Sequence, residues 1–187
     1  DPEWIHDYCR VYTDFFLKGF QYQFDNIGLP DGVWLYEDLG YKNGLFASPR
    51  TYKKMIFPYY KEMIDFFHSY DLPVVLHSCG SVAQAMELIV EVGFDALNPI
   101  ERKANNNDPF AFAEKYGKDL VFIGGLDVRV LETNDKDTIQ KETKALLDGM
   151  KTREARLVFT EDHSIPPTVE LDSYQWMLDA FWENCHL

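Results

Sequence analysis

The chain has 187 residues, 46% hydrophobic and 16% aromatic, which is enough apolar material for one substantial core and fits a single domain over residues 1–187. Its 31 acidic and 18 basic residues leave a formal charge of −13; no basic stripe exists to release counterions, which argues against nucleic acid and anionic membrane surfaces as partners. Cys9, Cys79 and Cys185 are too widely spaced to read as a disulfide framework, so a reducing, cytoplasmic compartment is expected, and no apolar run is long enough to span a bilayer.

In chain order, apolar residues at Trp4, Tyr8, Val11 and Phe15 mark a helix from Pro2 to about Gln23, whose aromatic stripe, Phe15 and Phe16 included, is expected in the core. Asp31 to Tyr36 reads as a strand closed by a polar turn at 37–40. Ser48-Pro49 supplies a cap and a first-turn proline for one long helix to about Tyr70. Pro73 to Leu76 is a short buried strand that delivers His77-Ser78-Cys79-Gly80 into the loop beyond it. Ser81 is expected to cap a helix to Val92, which Gly93 ends. There follow a strand at 95–98, a helix at 109–116, a strand at 120–123, a helix at 135–150, a strand at 156–159 and a helix at 171–182.

Five strand and helix units follow one leading helix. A doubly wound sheet would want a Gly-rich phosphate loop after its first strand, and none is present. The reading is therefore an α/β protein of (β/α)8 TIM-barrel type, here an incomplete barrel. The absence of an initiating Met is taken to mean that residues precede Asp1. Open sheet edges then predict a chain that associates, as a homo-oligomer, or that is part of a longer protein.

Barrels build their sites just past the strands. The polar residues there are Glu37 and Asp38, His77 and Cys79, Asn98 and Glu101, Gly124, Gly125 and Asp127, then Glu161, Asp162 and His163. Imidazole and thiolate are preferred zinc ligands, so His77 and Cys79, with Glu37 and His163 as third and fourth, form a chemically complete metal set. Taken alone, the His-x-Cys pair equally describes a core cysteine beside a hydrogen-bonded histidine. Glu37-Asp38 could be a solvated turn and Asp127 a simple cap. His6, His68 and His186 read as surface residues, and Cys9 and Cys185 as packing or terminal thiols.

The stretch DGVWLYEDLGYKNG at 31–44, Ser48-Pro49, LHSCG at 76–80, GGLD at 124–127 and HSIPP at 163–167 together resemble the uroporphyrinogen decarboxylase superfamily, across essentially the whole chain. That superfamily holds the decarboxylases of haem biosynthesis and the cobalamin-dependent methyltransferases, which share the barrel. In the methyltransferase branch a His-x-Cys-Gly motif and a later Cys hold a zinc ion that activates a thiol to accept a methyl group from a methylcorrinoid protein. His77 and Cys79 match the motif, while His163 stands where the later Cys would align and looks more like the histidine of the decarboxylases.

The resemblance implies a zinc-dependent methyltransferase of corrinoid-linked metabolism, with a small-molecule substrate, a corrinoid protein as partner, Asp38, Asp127 and His163 in catalytic roles, and Gly124 and Gly125 at a cofactor. Its alternatives are a metal-free decarboxylase and a non-catalytic barrel that binds a corrinoid or small ligand. Strand-end loops with many acids and only Arg102 and Arg129 nearby suit a metal, or a neutral or cationic substrate such as a methylated amine or aryl ether.

Overall fold

The computed structural model of the chain describes residues 1–186. In chain order the elements are α1 (Pro2–Asn26), β1 (Val33–Tyr36), β2 (Gly40–Tyr41), β3 (Gly44–Leu45), α2 (Pro49–Met55), α3 (Phe57–His68), β4 (Val74–His77) and α4 (Met86–Val92). They continue as β5 (Ala96–Asn98), α5 (Pro109–Tyr116), β6 (Val121–Ile123), α6 (Val128–Glu132), α7 (Lys136–Thr152), β7 (Leu157–Val158) and α8 (Leu171–Asn184).

Five strands form one parallel sheet in the order β1-β4-β5-β6-β7. Each new strand joins the same growing edge, so the sheet never reverses direction as a doubly wound sheet must. The α/β architecture expected from the alternation of elements is thus present, wound as a barrel is wound. One face of the sheet is fully buried by helices at Val74, Leu76, Leu97 and Phe122. Alternation puts Trp34, Tyr36, Val75 and His77 on the other face, where Trp34 and Tyr36 are exposed.

Four expectations require correction. The helix foreseen from 49 to 70 is two, parted at Ile56, because Pro58 has no N–H to give the preceding turn and its ring crowds that carbonyl. The helix expected from Ser81 begins only at Met86. Residues 81 and 82 are instead held as loop: Ser81 Oγ donates to the Asn105 carbonyl, and the Val82 N–H to Asn107 Oδ1. The polar segment after β1 contains the small antiparallel hairpin β2–β3.

The aromatic stripe of α1 is not core along its length. Phe20 and Phe24 pack on Phe66, Phe67 and Tyr70 of the α3 region, yet Phe15 is 70% exposed and Phe16 46%. The first half of α1 meets α3 through His6 with Tyr59 and Arg10 with Glu62, and leaves Phe15 and Phe16 at the surface. With the edge strand β1 it walls an apolar cavity of about 540 Å³ lined by Trp4, Tyr8, Tyr12, Trp34 and Tyr59 among others. Among the described residues no helix is long and apolar enough to cross a membrane.

Candidate functional site

His77 closes β4 and stands in register with Tyr36 on one side and Asn98 on the other. Because side chains alternate along a strand, these three share the open face of the sheet. The Tyr36 ring lies flat on the imidazole, centroids 3.9 Å apart and planes 15° from parallel. Asn98 Oδ1 is 2.8 Å from Nδ1. With that amide oxygen accepting, Nδ1 carries the proton and Nε2 keeps its lone pair. Nε2 stands 3.5 Å from Cys79 Sγ.

The loop that carries Cys79 is pinned from several directions. The Cys79 N–H donates to Asp38 Oδ1 at 2.8 Å, and the Gly80 N–H to Glu101 Oε2 at 2.6 Å. Asn107 Nδ2 donates to the carbonyls of Gly80 and Glu101. Buried Ser78 accepts the Leu39 N–H on its hydroxyl. Gly80 itself has φ +76°, and a Cβ there would lie 2.6 Å from the Gly40 carbonyl carbon. The β2–β3 hairpin therefore sits directly on the loop and requires glycine beneath it.

His163 arrives from beyond β7, with Nε2 4.0 Å from Cys79 Sγ and 4.0 Å from Glu101 Oε2. Two groups of potential ligands result, Asp38-His77-Cys79 and Cys79-Glu101-His163, each with its atoms within 4.8 Å of one another and with Cys79 common to both. In a tetrahedral zinc site, bonds of about 2.3 Å to sulfur and 2.0–2.1 Å to nitrogen separate neighbouring ligand atoms by roughly 3.5 Å. The His77–Cys79 spacing meets that value, and the two at His163 come within about half an ångström of it. The donor set of imidazoles, thiol and carboxylates also suits zinc.

Burial, reinforced by the carboxylates of Asp38 and Glu101, pushes the Cys79 thiol up to about 11. Lys103 works in the opposite direction. The thiol is thus protonated at neutral pH unless a cation is at hand, and a bound cation inverts that preference because it stabilises the anion.

The remaining strand-end residues are placed apart from Cys79. Glu37 points to the other side of β1 and lines the cavity beneath α1 with Tyr60, whose buried hydroxyl faces its carboxylate. Burial holds the Glu37 carboxyl above its usual range. Asp127 caps α6 through the Arg129 N–H and binds the Arg129 guanidinium. Burial alone would raise its carboxyl, but Arg129 more than offsets this and holds it below the usual range. Gly124 and Gly125 have φ +101° and +97° and lead the chain from β6 to Leu126, which bridges Glu161. Cys9, Cys79 and Cys185 are free thiols.

Glu101, Asn107 and Asp162 are among the participants to which the sequence alone assigns no role. Glu101 was visible only as one acid among several at the strand ends. Asn107, last of the run Asn105-Asn106-Asn107, looks like a polar turn before the Asp108-Pro109 cap. Asp162 adjoins His163, and only its complete side-chain burial distinguishes it from Glu161.

A model of the family described as Uroporphyrinogen decarboxylase (URO-D) matches residues 1–183. Methylcobamide:CoM methyltransferase MtbA of Methanosarcina mazei is 24% identical over 145 residues, an alignment covering 76% of this chain and 39% of that relative. The protein of the same name in Methanosarcina acetivorans is 24% identical over 144 residues, with the same coverage. The chain spans about two fifths of the length of these curated relatives. A solved methyltransferase from Methanosarcina mazei shares the fold with a TM-score of 0.63 at 20% identity, over 83% of this chain and 43% of that one.

Proposed function

The chain belongs to the uroporphyrinogen decarboxylase family, and on that premise we propose that it is the site-bearing part of a zinc-dependent methyltransferase working between a corrinoid carried by a partner protein and a small thiol. In this reading residues 1–187 form one domain, part of a family barrel. The observation that carries it is the convergence of His77 Nε2 and His163 Nε2 on Cys79 Sγ, at 3.5 and 4.0 Å. The names of the methylcobamide:CoM methyltransferase relatives support reading the transfer as running from a corrinoid to a thiol.

His77, Cys79 and His163 would hold the zinc, the two histidines drawn together from the separate groups that share Cys79. Glu101, buried beside Cys79 and His163, is the carboxylate best placed to complete the set, and exposed Asp38 belongs to the His77 group. When bound, the cation supplies Lewis acidity and stabilises a thiolate at neutral pH. Tyr36 covers one face of His77 and limits its rotation. Asn98 fixes the His77 proton on Nδ1, leaving Nε2 free to act as a ligand. Asp38 and Glu101 fix the loop through the N–H groups of Cys79 and Gly80, so that the sulfur needs little rearrangement to serve. Gly124, Gly125 and Asp127 shape the rim of the same sheet end, where a corrinoid or substrate would approach.

The intact protein should transfer a methyl group from methylcobalamin to a small thiol, followed as loss of the methylcorrinoid absorbance, in a reaction stopped by chelator and by C79A. A methylated amine or aryl ether offered with reduced corrinoid tests the reverse use of the site. Decarboxylation of a porphyrinogen or small carboxylate that persists in chelator, with no methyl transfer, would replace this reading by the decarboxylase one. Tight corrinoid binding with no transfer in any pairing would replace it by the non-catalytic one.

A further inference from the structure

His77 and His163 turn the same ring nitrogen toward Cys79, but their other nitrogens meet different groups. Nδ1 of His77 is 2.8 Å from the neutral Asn98 Oδ1. Nδ1 of His163 is 3.6 Å from the Asp162 carboxylate, just beyond hydrogen-bond reach. That Nδ1 is buried without a partner, and so is Oδ2 of the same aspartate. The Asp162 side chain is 0% exposed, and its Oδ1 accepts the Val128 N–H at 3.0 Å, which anchors it to the start of α6.

The carboxylate oxygen nearest this nitrogen is Oδ1, which can accept a second hydrogen bond beside that of the Val128 N–H, so a small rotation of the imidazole relieves the desolvation penalty of its buried Nδ1. A second acceptor competes for the ring proton. Glu101 Oε2 lies 4.0 Å from Nε2 and would favour the tautomer with hydrogen on that nitrogen, pointing a donor at the cluster. In a neutral imidazole there is only one such proton.

We propose that Asp162 is a positioning residue: its carboxylate accepts the Nδ1–H of His163 and so leaves the Nε2 lone pair facing Cys79 and Glu101. Asp162 does for His163 what Asn98 does for His77, and as an anion it also makes the imidazole the more electron-rich ligand of the two. The assignment rests on the metal reading above, since a cation is what would use that lone pair.

Nitrogen-15 NMR of the histidine rings in the metal-free intact protein, at a pH where the rings are neutral, reads the tautomer directly. The wild type is expected to show His163 as the Nδ1–H form. D162A, which removes both carboxylate oxygens, should lose that preference while His77 keeps its own. Zinc titration should give a dissociation constant about 10- to 100-fold higher for D162A, with no further change when D162A is added to H163A. A wild-type His163 protonated on Nε2, or a D162A protein with unchanged tautomer and zinc affinity, would overturn the assignment. If the wild type bound no zinc, the metal reading would fall, and the tautomer alone would decide the role of Asp162. If D162A did not fold, the wild-type spectrum would decide it.

Discussion

Gly40 and Gly80 interlock: a Cβ on Gly80 would stand 2.6 Å from the carbonyl carbon and oxygen of Gly40, and one on Gly40 would stand 2.3 Å from the Ser81 carbonyl oxygen. The hairpin and the loop bearing Cys79 are therefore one unit, and neither can shift without the other.

Gly80→Ala should accordingly be costly. A left-handed backbone at φ +76° costs an alanine about 1–2 kcal/mol, and the neighbouring atoms are backbone that cannot swing aside. A loss of more than about 2 kcal/mol in urea unfolding is expected, against a change within about 0.5 kcal/mol for an exposed control such as Lys18→Ala. Equal effects would mean the interlock is not formed.

Asn107→Ala should be as damaging for a different reason. It strips partners from the Val82 N–H and from the Gly80 and Glu101 carbonyls, all in a buried setting. Unsatisfied buried groups cost about 1–3 kcal/mol each, so a loss of roughly 2–4 kcal/mol is expected in denaturant titration, together with weaker metal retention.

Cys79 should be a slow nucleophile in the metal-free protein. With its thiol pushed up to about 11 from an ordinary value near 9, the thiolate fraction at pH 8 falls roughly hundredfold. Alkylation of Cys79 by iodoacetamide, located by mass spectrometry, should rise steeply with pH and reach half its maximum only near pH 11. A half-maximum near pH 9 would show that burial and the carboxylates do not act on the sulfur as described.

Asp38→Asn keeps an acceptor for the Cys79 N–H while removing one of the charges that oppose the thiolate. The alkylation profile should move to lower pH, and the unfolding midpoint should stay close to wild type because Asp38 is exposed at the surface. A profile that does not move would assign the shift to burial and Glu101 alone.

The sheet was legible because each strand is a short apolar run and each polar cluster comes just after one, so His77, Cys79 and His163 could be placed at one end of the barrel from spacing alone. What spacing could not set was phase. Glu37 and Asp38 are adjacent acids at the end of β1, and since side chains alternate, only one can face Cys79. The pairing of Tyr36 with His77 decides it: Tyr36 and Asp38 face the site, and Glu37 turns under α1. The hairpin β2–β3 was hidden because its two-residue strands depend on tertiary contact with Gly80 more than on their own propensity. The break before α3 was written in Pro58, whose effect the Ser48-Pro49 cap signal obscured. The burial of Glu101 and Asp162 belongs to packing between distant segments, which no local pattern carries.

The central claim, that Cys79 is the shared ligand of a zinc site, is tested most directly by the metal content of the intact protein after exposure to zinc and removal of excess. About one zinc per chain is expected for the wild type, with strong loss in H77A and C79A and weaker binding in H163A. A wild-type protein that retains no metal, or a C79A protein that retains it fully, would contradict the account.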